Sequence, residues 1–148
     1  MKKIIILLLG VFLLAGCSSG SKEKEVTCTI AEQGVESTVV YTGEGDEVFT
    51  SKTTFKLKYD LFGVVDQNMK EQLKEQYEAT YMQMEGIVIE VSIDGEEYLE
   101  MTIDVDYRVA DKDYLVSAGL LDADDAEGDT VSLEKMLELN EEAGYTCK

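Results

Sequence analysis

The sequence predicts an α+β fold: a two-layer sandwich in which an antiparallel sheet of about five strands carries helices packed on one face. Three observations point there. Several segments alternate apolar and polar residues and are joined by short turns, as in a sheet with one face in the core and one in water. A longer segment between them, and others after them, repeat apolar residues at helical spacing, with capping residues ahead and glycine behind. The region from Val26 to Lys148 has the length of one domain.

Val26, Cys28 and Ile30 alternate with Thr27 and Thr29 and form the first strand. Gly34 marks a turn, and the β-branched and aromatic run Ser37 to Thr42 is the second strand. Gly43-Glu44-Gly45-Asp46 turns the chain into a third strand, from about Glu47 to Tyr59. On it Phe49, Phe55, Leu57 and Tyr59 share the core parity, and Thr50, Lys52, Thr54, Lys56 and Lys58 face solvent.

A connection over Leu61 to Val65 leads to a helix with Asn68 or Asp66 as N-cap. Its apolar stripe is Met69, Leu73, Tyr77, Tyr81 and Met84, and Gly86 stands at C′. Two more strands follow, with Ile87, Ile89, Val91 and Ile93 on one and Leu99, Met101, Ile103 and Val105 on the other. A two-residue Asp94-Gly95 loop would put these apolar sets on opposite faces. A three-residue loop, Ile93-Asp94-Gly95, restores the parity and sets Ile89 opposite Leu99 and Ile87 opposite Met101.

Asp111 to Ala118 reads as a short helix capped by Asp111 and ended by Gly119, and Asp122 to Asp129 as an acidic loop. Thr130 or Ser132 caps a last helix with Leu133, Met136, Leu137 and Ala143 inward and Gly144 at C′. A short tail, Tyr145 to Lys148, follows it.

The amino terminus has another character. Met1-Lys2-Lys3 precedes an almost unbroken apolar run to Ala15, short for a membrane span and suited to a secretory signal. Leu14-Ala15-Gly16-Cys17 resembles the lipobox of bacterial lipoproteins, in which the Cys thiol is acylated and the bond before it is cut. Residues 1–16 are therefore assigned as a lipoprotein signal peptide, with Cys17 as the lipidation site. Residues 17–25 are the acylated cysteine and a flexible tether, and 26–148 the single folded domain. The eight residues Ser18 to Glu25 span roughly 15 Å as a random coil.

A mature chain from Cys17 has 132 residues, and losing Lys2 and Lys3 leaves 11 basic against 31 acidic residues, a formal charge of −20. Such a surface does not suit nucleic acid, which needs cationic groups on its phosphates. It is also repelled by anionic headgroups, so contact with the membrane is expected through the lipid anchor.

The chain has no His, which removes Ser-His-Asp and Cys-His mechanisms and His-containing zinc sites. With Cys17 acylated, Cys28 and Cys147 remain, and two cysteines in an exported chain suggest a disulfide. Two separate reduced thiols are the alternative; a redox pair would show Cys-x-x-Cys spacing, and these are 119 positions apart.

The acidic loop does not fit the register of a calcium-binding EF-hand loop. With Gly128 at position 6 of an EF-hand loop, Asp125, Glu127 and Glu134 fall at positions 3, 5 and 12, but position 1 is Ala123. The register fails at its first ligand, so no metal ligand is assigned. With 31 carboxylates some close pair is inevitable, so a glycosidase pair has no support in the sequence. A Ser-x-x-Lys motif is absent. No catalytic residue and no cofactor are expected.

The whole chain resembles the YehR family of small bacterial lipoproteins, a domain family of unknown function. The likeness runs through the lipobox, the tether, the Tyr41-Thr42-Gly43-Glu44-Gly45-Asp46-Glu47-Val48 hairpin and the amphipathic helix. It continues through Met101-Thr102-Ile103-Asp104, Val105-Asp106-Tyr107, Gly128-Asp129-Thr130-Val131-Ser132-Leu133 and Ala143-Gly144-Tyr145. The resemblance implies an α+β fold with helices on one face of an antiparallel sheet, and it supplies no catalytic residue and no disulfide. The expected function is that of a lipid-anchored protein on the extracytoplasmic face of the cell membrane, serving as a non-catalytic binding or envelope-interaction module. The alternative is a cation- or small-ligand-binding protein using the acidic loop Asp122–Asp129.

Overall fold

The computed structural model describes residues 22–80, 84–93 and 95–148. Cys17 and the expected lipobox, Tyr81 of the expected helical stripe and Asp94 of the expected hairpin loop lie outside the described residues. Strands β1 (Lys24–Glu32), β2 (Val35–Glu44) and β3 (Glu47–Lys58) form an antiparallel meander, followed by a 3-10 turn (Tyr59–Phe62) and helix α1 (Gln67–Thr80). Strands β4 (Ile87–Ser92) and β5 (Tyr98–Asp106) come next, then α2 (Lys112–Ser117), α3 (Ala123–Ala126), β6 (Val131–Ser132), α4 (Leu133–Glu142) and β7 (Thr146–Cys147). The sheet has seven strands in the order β4-β5-β3-β2-β1-β7, with β6 on the end of β3. It is larger than the expected five because β6 and β7, two residues each, are too short to show a period.

The β1–β2 hairpin closes through Gln33 and Gly34, both at positive φ, as a two-residue turn matched to strand twist requires. The β2–β3 register then shifts at Gly43, where β3 carries one extra residue. A Cβ at Gly43 would run into the Glu47 carbonyl oxygen, so the bulge depends on glycine there. Its effect corrects the expected parity of β3. Val48 turns into the core and Phe49 is left half-buried, with the Arg108 guanidinium 5.3 Å from its ring centroid.

Beyond the bulge the odd-numbered residues of β3, among them Phe55 and Leu57, share the inward parity as expected. Val26, Cys28, Val39, Leu99, Met101, Ile103 and Val105 form the sheet side of the core. Leu115 of α2 and Leu133 and Met136 of α4 cover them. The inner face also holds two buried serines, and each meets a tyrosine hydroxyl at 2.9 Å: Ser37 with Tyr145, after α4, and Ser51 with Tyr107, just past the end of β5. The outer face carries threonines and exposed cross-strand ion pairs, Lys52–Asp104 at 3.3 Å and Lys56–Glu100 at 3.8 Å.

Asp66, not Asn68, caps α1, accepting from the Met69 amide at 2.9 Å. Leu73 and Tyr77 touch the core, and Tyr77 meets Phe62 edge-on. Gly86, expected at the helix C′, sits instead in a tight turn where Met84 bridges Ile87. Its φ is 79°, and a Cβ there would come within 2.6 Å of the Ala110 amide nitrogen.

The β4–β5 connection is longer than the three residues expected. Ile87 faces Val105, Ile89 faces Ile103 and Val91 faces Met101, a slip that keeps the parity and moves every pair. The connection is drawn across to the 3-10 turn and α1 by hydrogen bonds. Tyr59 N–H donates to the Glu97 carbonyl at 3.0 Å, and the Lys70 ammonium donates to the carbonyls of Gly95 and Glu96.

β7 lies beside the centre of β1. Thr27 and Lys148 exchange both backbone hydrogen bonds, at 3.0 and 2.9 Å. Cys28 and Cys147, the next pair, are therefore a non-hydrogen-bonded pair, where strands approach most closely. They form a disulfide, with Cα atoms 4.0 Å apart and Cys28 fully buried. It closes a loop over 119 positions. In the chain-entropy account a loop of that order stabilises by up to about 4.7 kcal/mol. Urea unfolding with and without reductant is expected to show a loss of a few kcal/mol, and the double variant Cys28→Ser/Cys147→Ser is expected to match the reduced chain.

Candidate functional site

The segment from Gly119 to Glu142 builds a groove over β2. The Asp122–Asp129 stretch, expected as a loop, opens with α3, whose N-cap is Asp122, accepting from the Asp124 amide at 2.9 Å. This turn directs Asp125 inward. Its Oδ1 lies 3.2 Å from the Lys135 ammonium, and the pair holds the lysine above its ordinary pKa. Asp125 is 3% exposed, and its Oδ2 has no hydrogen-bond partner among the described residues.

Helix α4 forms the other wall, and its start is fixed by a residue of the β2–β3 turn. The Asp46 carboxylate accepts from the Glu134 amide and the Ser132 hydroxyl, both at 2.8 Å, while the Asp46 carbonyl accepts from the Leu133 amide at 2.7 Å. Ser132, one of the two expected caps, accepts from the Lys135 amide at 3.3 Å. Leu133, Met136 and Leu137 turn inward, but Ala143 is exposed, because α4 ends at Glu142 and Ala143 is already its C-cap residue.

Between α4 and the chain from Gly119 to Asp122 lies a cleft of about 410 Å³. Leu120, Leu121, Met136 and Leu139 line it, Tyr41 and Asn140 supply its polar groups, and Asp122 stands with them. Tyr41 is 5% exposed. Asn140 Nδ2 donates at 2.7 Å both to the Tyr41 hydroxyl and to the Met136 carbonyl. Burial pushes the Tyr41 phenol above its ordinary pKa against the Asn140 hydrogen bond, so it stays protonated at neutral pH.

The cleft continues past Asp122 and Leu139 into a hollow of about 250 Å³ lined by Asp124, Asp125, Lys135, Glu138 and Glu142. Together they make a groove along α4, apolar at one end and acidic at the other. No group of three or more Cys, Asp or Glu converges as a metal site among the described residues. The groove therefore brings together part of the acidic stretch, Asp122 to Asp125, with two residues the sequence reading did not single out, Tyr41 and Asn140. Their signal was present: a tyrosine on the core parity of a strand must find a partner for its hydroxyl. Cys28 and Cys147 lie on β1 and β7 and do not line the groove.

Residues 24–146 match the family described as a protein of unknown function, DUF1307. The chain belongs to the DUF1307 family. The matched span contains every residue of the groove named above. Two curated relatives are similar to this DUF1307 chain. The uncharacterized lipoprotein Lmo0207 of Listeria monocytogenes is 25% identical over 146 residues, 96% of this chain and 90% of that one. The uncharacterized lipoprotein Lin0239 of Listeria innocua is 24% identical over 123 residues, covering 82% and 78%.

The NMR structure of Escherichia coli YehR superposes with a TM-score of 0.73 at 19% identity, covering 86% of this chain and 92% of that one. An NMR structure of a Streptococcus pneumoniae protein gives a TM-score of 0.55 at 16% identity, covering 100% and 96%. These likenesses establish the fold and agree with the resemblance read from the sequence.

Asp46 offers a test of how the groove is held. Hydrogen bonds from the Glu134 amide and then the Ser132 hydroxyl hold its carboxyl below the ordinary carboxylate range. A depressed pKa contributes stability that is present above the unfolded value, about 3.9, and is lost as pH falls through the folded one. Asp46→Ala is expected to cost about 1–2 kcal/mol at pH 7, as for a lost helix cap. In urea titrations the gap from the unsubstituted chain should narrow at pH 3.

Proposed function

We propose that the chain is a lipoprotein anchored through Cys17 on the extracytoplasmic face of the cell membrane, and that its folded part, residues 26–148, is a non-catalytic binding module working through the groove along α4. Residues 1–16 are its signal peptide and 17–25 its acylated tether. The anchor rests on Leu14-Ala15-Gly16-Cys17 after a short charged and apolar start, and the relatives named lipoproteins support it. Among the described residues no helix is long and apolar enough to cross a membrane. Acylation of Cys17 then supplies the attachment, with more than one acyl chain needed for stable retention.

The observation that carries the binding role is the cleft itself, a concavity of ligand size with apolar walls and a few convergent polar groups. Its acidic end favours ligands with positive charge and draws on the Asp122–Asp129 stretch. The described carboxylates do not converge on one point, which favours an organic cation over a bound metal ion. With no His in the chain, the commonest general base near neutral pH is missing, in keeping with binding without chemistry.

Two experiments test the two halves. Cys17→Ser is expected to release the protein from membranes on fractionation; a variant that still sediments with them refutes the anchor. A photo-crosslinking amino acid in place of Leu139, which is 40% exposed on the rim, is expected to trap a ligand in intact cells. The same probe at Val88, 51% exposed on the opposite sheet face, should not. Equal trapping at both positions argues against the groove.

A further inference from the structure

Resting on the groove as a binding site, we infer that it receives an amino-acid amide bearing a free ammonium group, as at the amino terminus of a peptide with an apolar first side chain. The polar pair on the cleft wall has its hydrogen-bonding capacity half used. Both Nδ2 protons of Asn140 are engaged, one on the Met136 carbonyl, which fixes the orientation of the amide, and one on Tyr41. Asn140 Oδ1 is left as an acceptor, and the Tyr41 hydroxyl, already accepting, is left with a proton to donate. No partner among the described residues takes up either. In the open cleft these two positions fall to water, and a ligand that displaces it keeps the balance only by supplying an acceptor and a donor of its own. A ligand amide offers the complement, a carbonyl for Tyr41 and an N–H for Asn140.

The rest of the cleft selects what is attached to that amide. Leu121, Met136 and Leu139 suit an aliphatic side chain. Asp122 lines the same cavity, and its carboxylate, with one oxygen on the Asp124 amide, suits an ammonium group. Beyond it the hollow adds Asp124, Glu138 and Glu142, while its one lysine, Lys135, is engaged by Asp125. A ligand carboxylate in place of the amide would meet this acidic field. At about 410 Å³ the cleft has room for a group of this size.

Isothermal titration of the full chain in detergent micelles tests the inference, with leucinamide as probe. Leucinamide is expected to bind, and 4-methylpentanamide, which lacks the ammonium, to bind about tenfold more weakly. Asp122→Asn preserves the cap of α3, since Asn caps as well as Asp, and should erase that difference. Tyr41→Phe should weaken both probes about tenfold, the loss of one hydrogen bond. Spermidine, with spaced ammonium groups and no amide, separates the inference from the reading beneath it. Spermidine binding that Asp122→Asn weakens, with no leucinamide binding, overturns the amide inference and keeps the groove as a site. No binding of either probe, together with no crosslink at Leu139, overturns both. Equal affinity for leucinamide and 4-methylpentanamide overturns the role of Asp122.

Discussion

Helix α4 is held by the sheet at its start, in its last turn and past its end, and the covering layer depends on that attachment. At its start Asp46, from a turn 88 positions away, takes up the Glu134 amide, and β6 adds a short pairing with β3. In its last turn Asn140 reaches Tyr41 across a separation of 99 positions. Past its end Tyr145 meets Ser37, and Cys147 is bonded to Cys28. A helix of ten residues is marginal alone, so its stability comes from these contacts and from burying Leu133 and Met136. All three attachment regions lie on β1, β2, the turn after β2 and the start of β3, so the first hairpins form the platform on which the last third of the chain is built.

Much of this was legible in the sequence where a pattern runs long enough to repeat. The alternation on β1, β2, β4 and β5, the apolar stripe of α1 and the Asp111 and Ser132 caps each involve several residues obeying one period or one local rule. What was not legible depends on partners distant in the chain. The bulge at Phe49 follows from a glycine on the neighbouring strand, and the slip between β4 and β5 from contacts with Tyr59 and Lys70. β6 and β7 are strands only because β3 and β1 are beside them.

The site shows the same division. Asp122 to Asp129 reads as a uniform acidic run, and composition alone does not separate Asp122, which caps α3, from Asp125, which turns inward to Lys135. Asn140 is on a helix with acidic neighbours and Tyr41 is in a strand, and nothing local couples them. The buried serines carried a faint signal, since Ser37 and Ser51 fall on core parity where a hydroxyl needs a partner. The partners, Tyr145 after α4 and Tyr107 at the end of β5, are 108 and 56 positions away and follow only from the tertiary fold.

The disulfide also determines where mechanical tension would travel. Strand β1 begins at Lys24, next to the residues that would lead to a lipid anchor, and four positions later Cys28 is bonded to Cys147. From Cys147 the chain runs back through Gly144 directly into α4 and the groove. A load applied between an anchored amino terminus and a ligand gripped along α4 therefore has a short covalent route through the bridge. Of the β1–β2 ladder only the pairs from Lys24 to Cys28 lie on that route, and the β2–β3 ladder lies off it, so a pull on the amino-terminal side loads one end of β1 and the bridge and not the rest of the sheet.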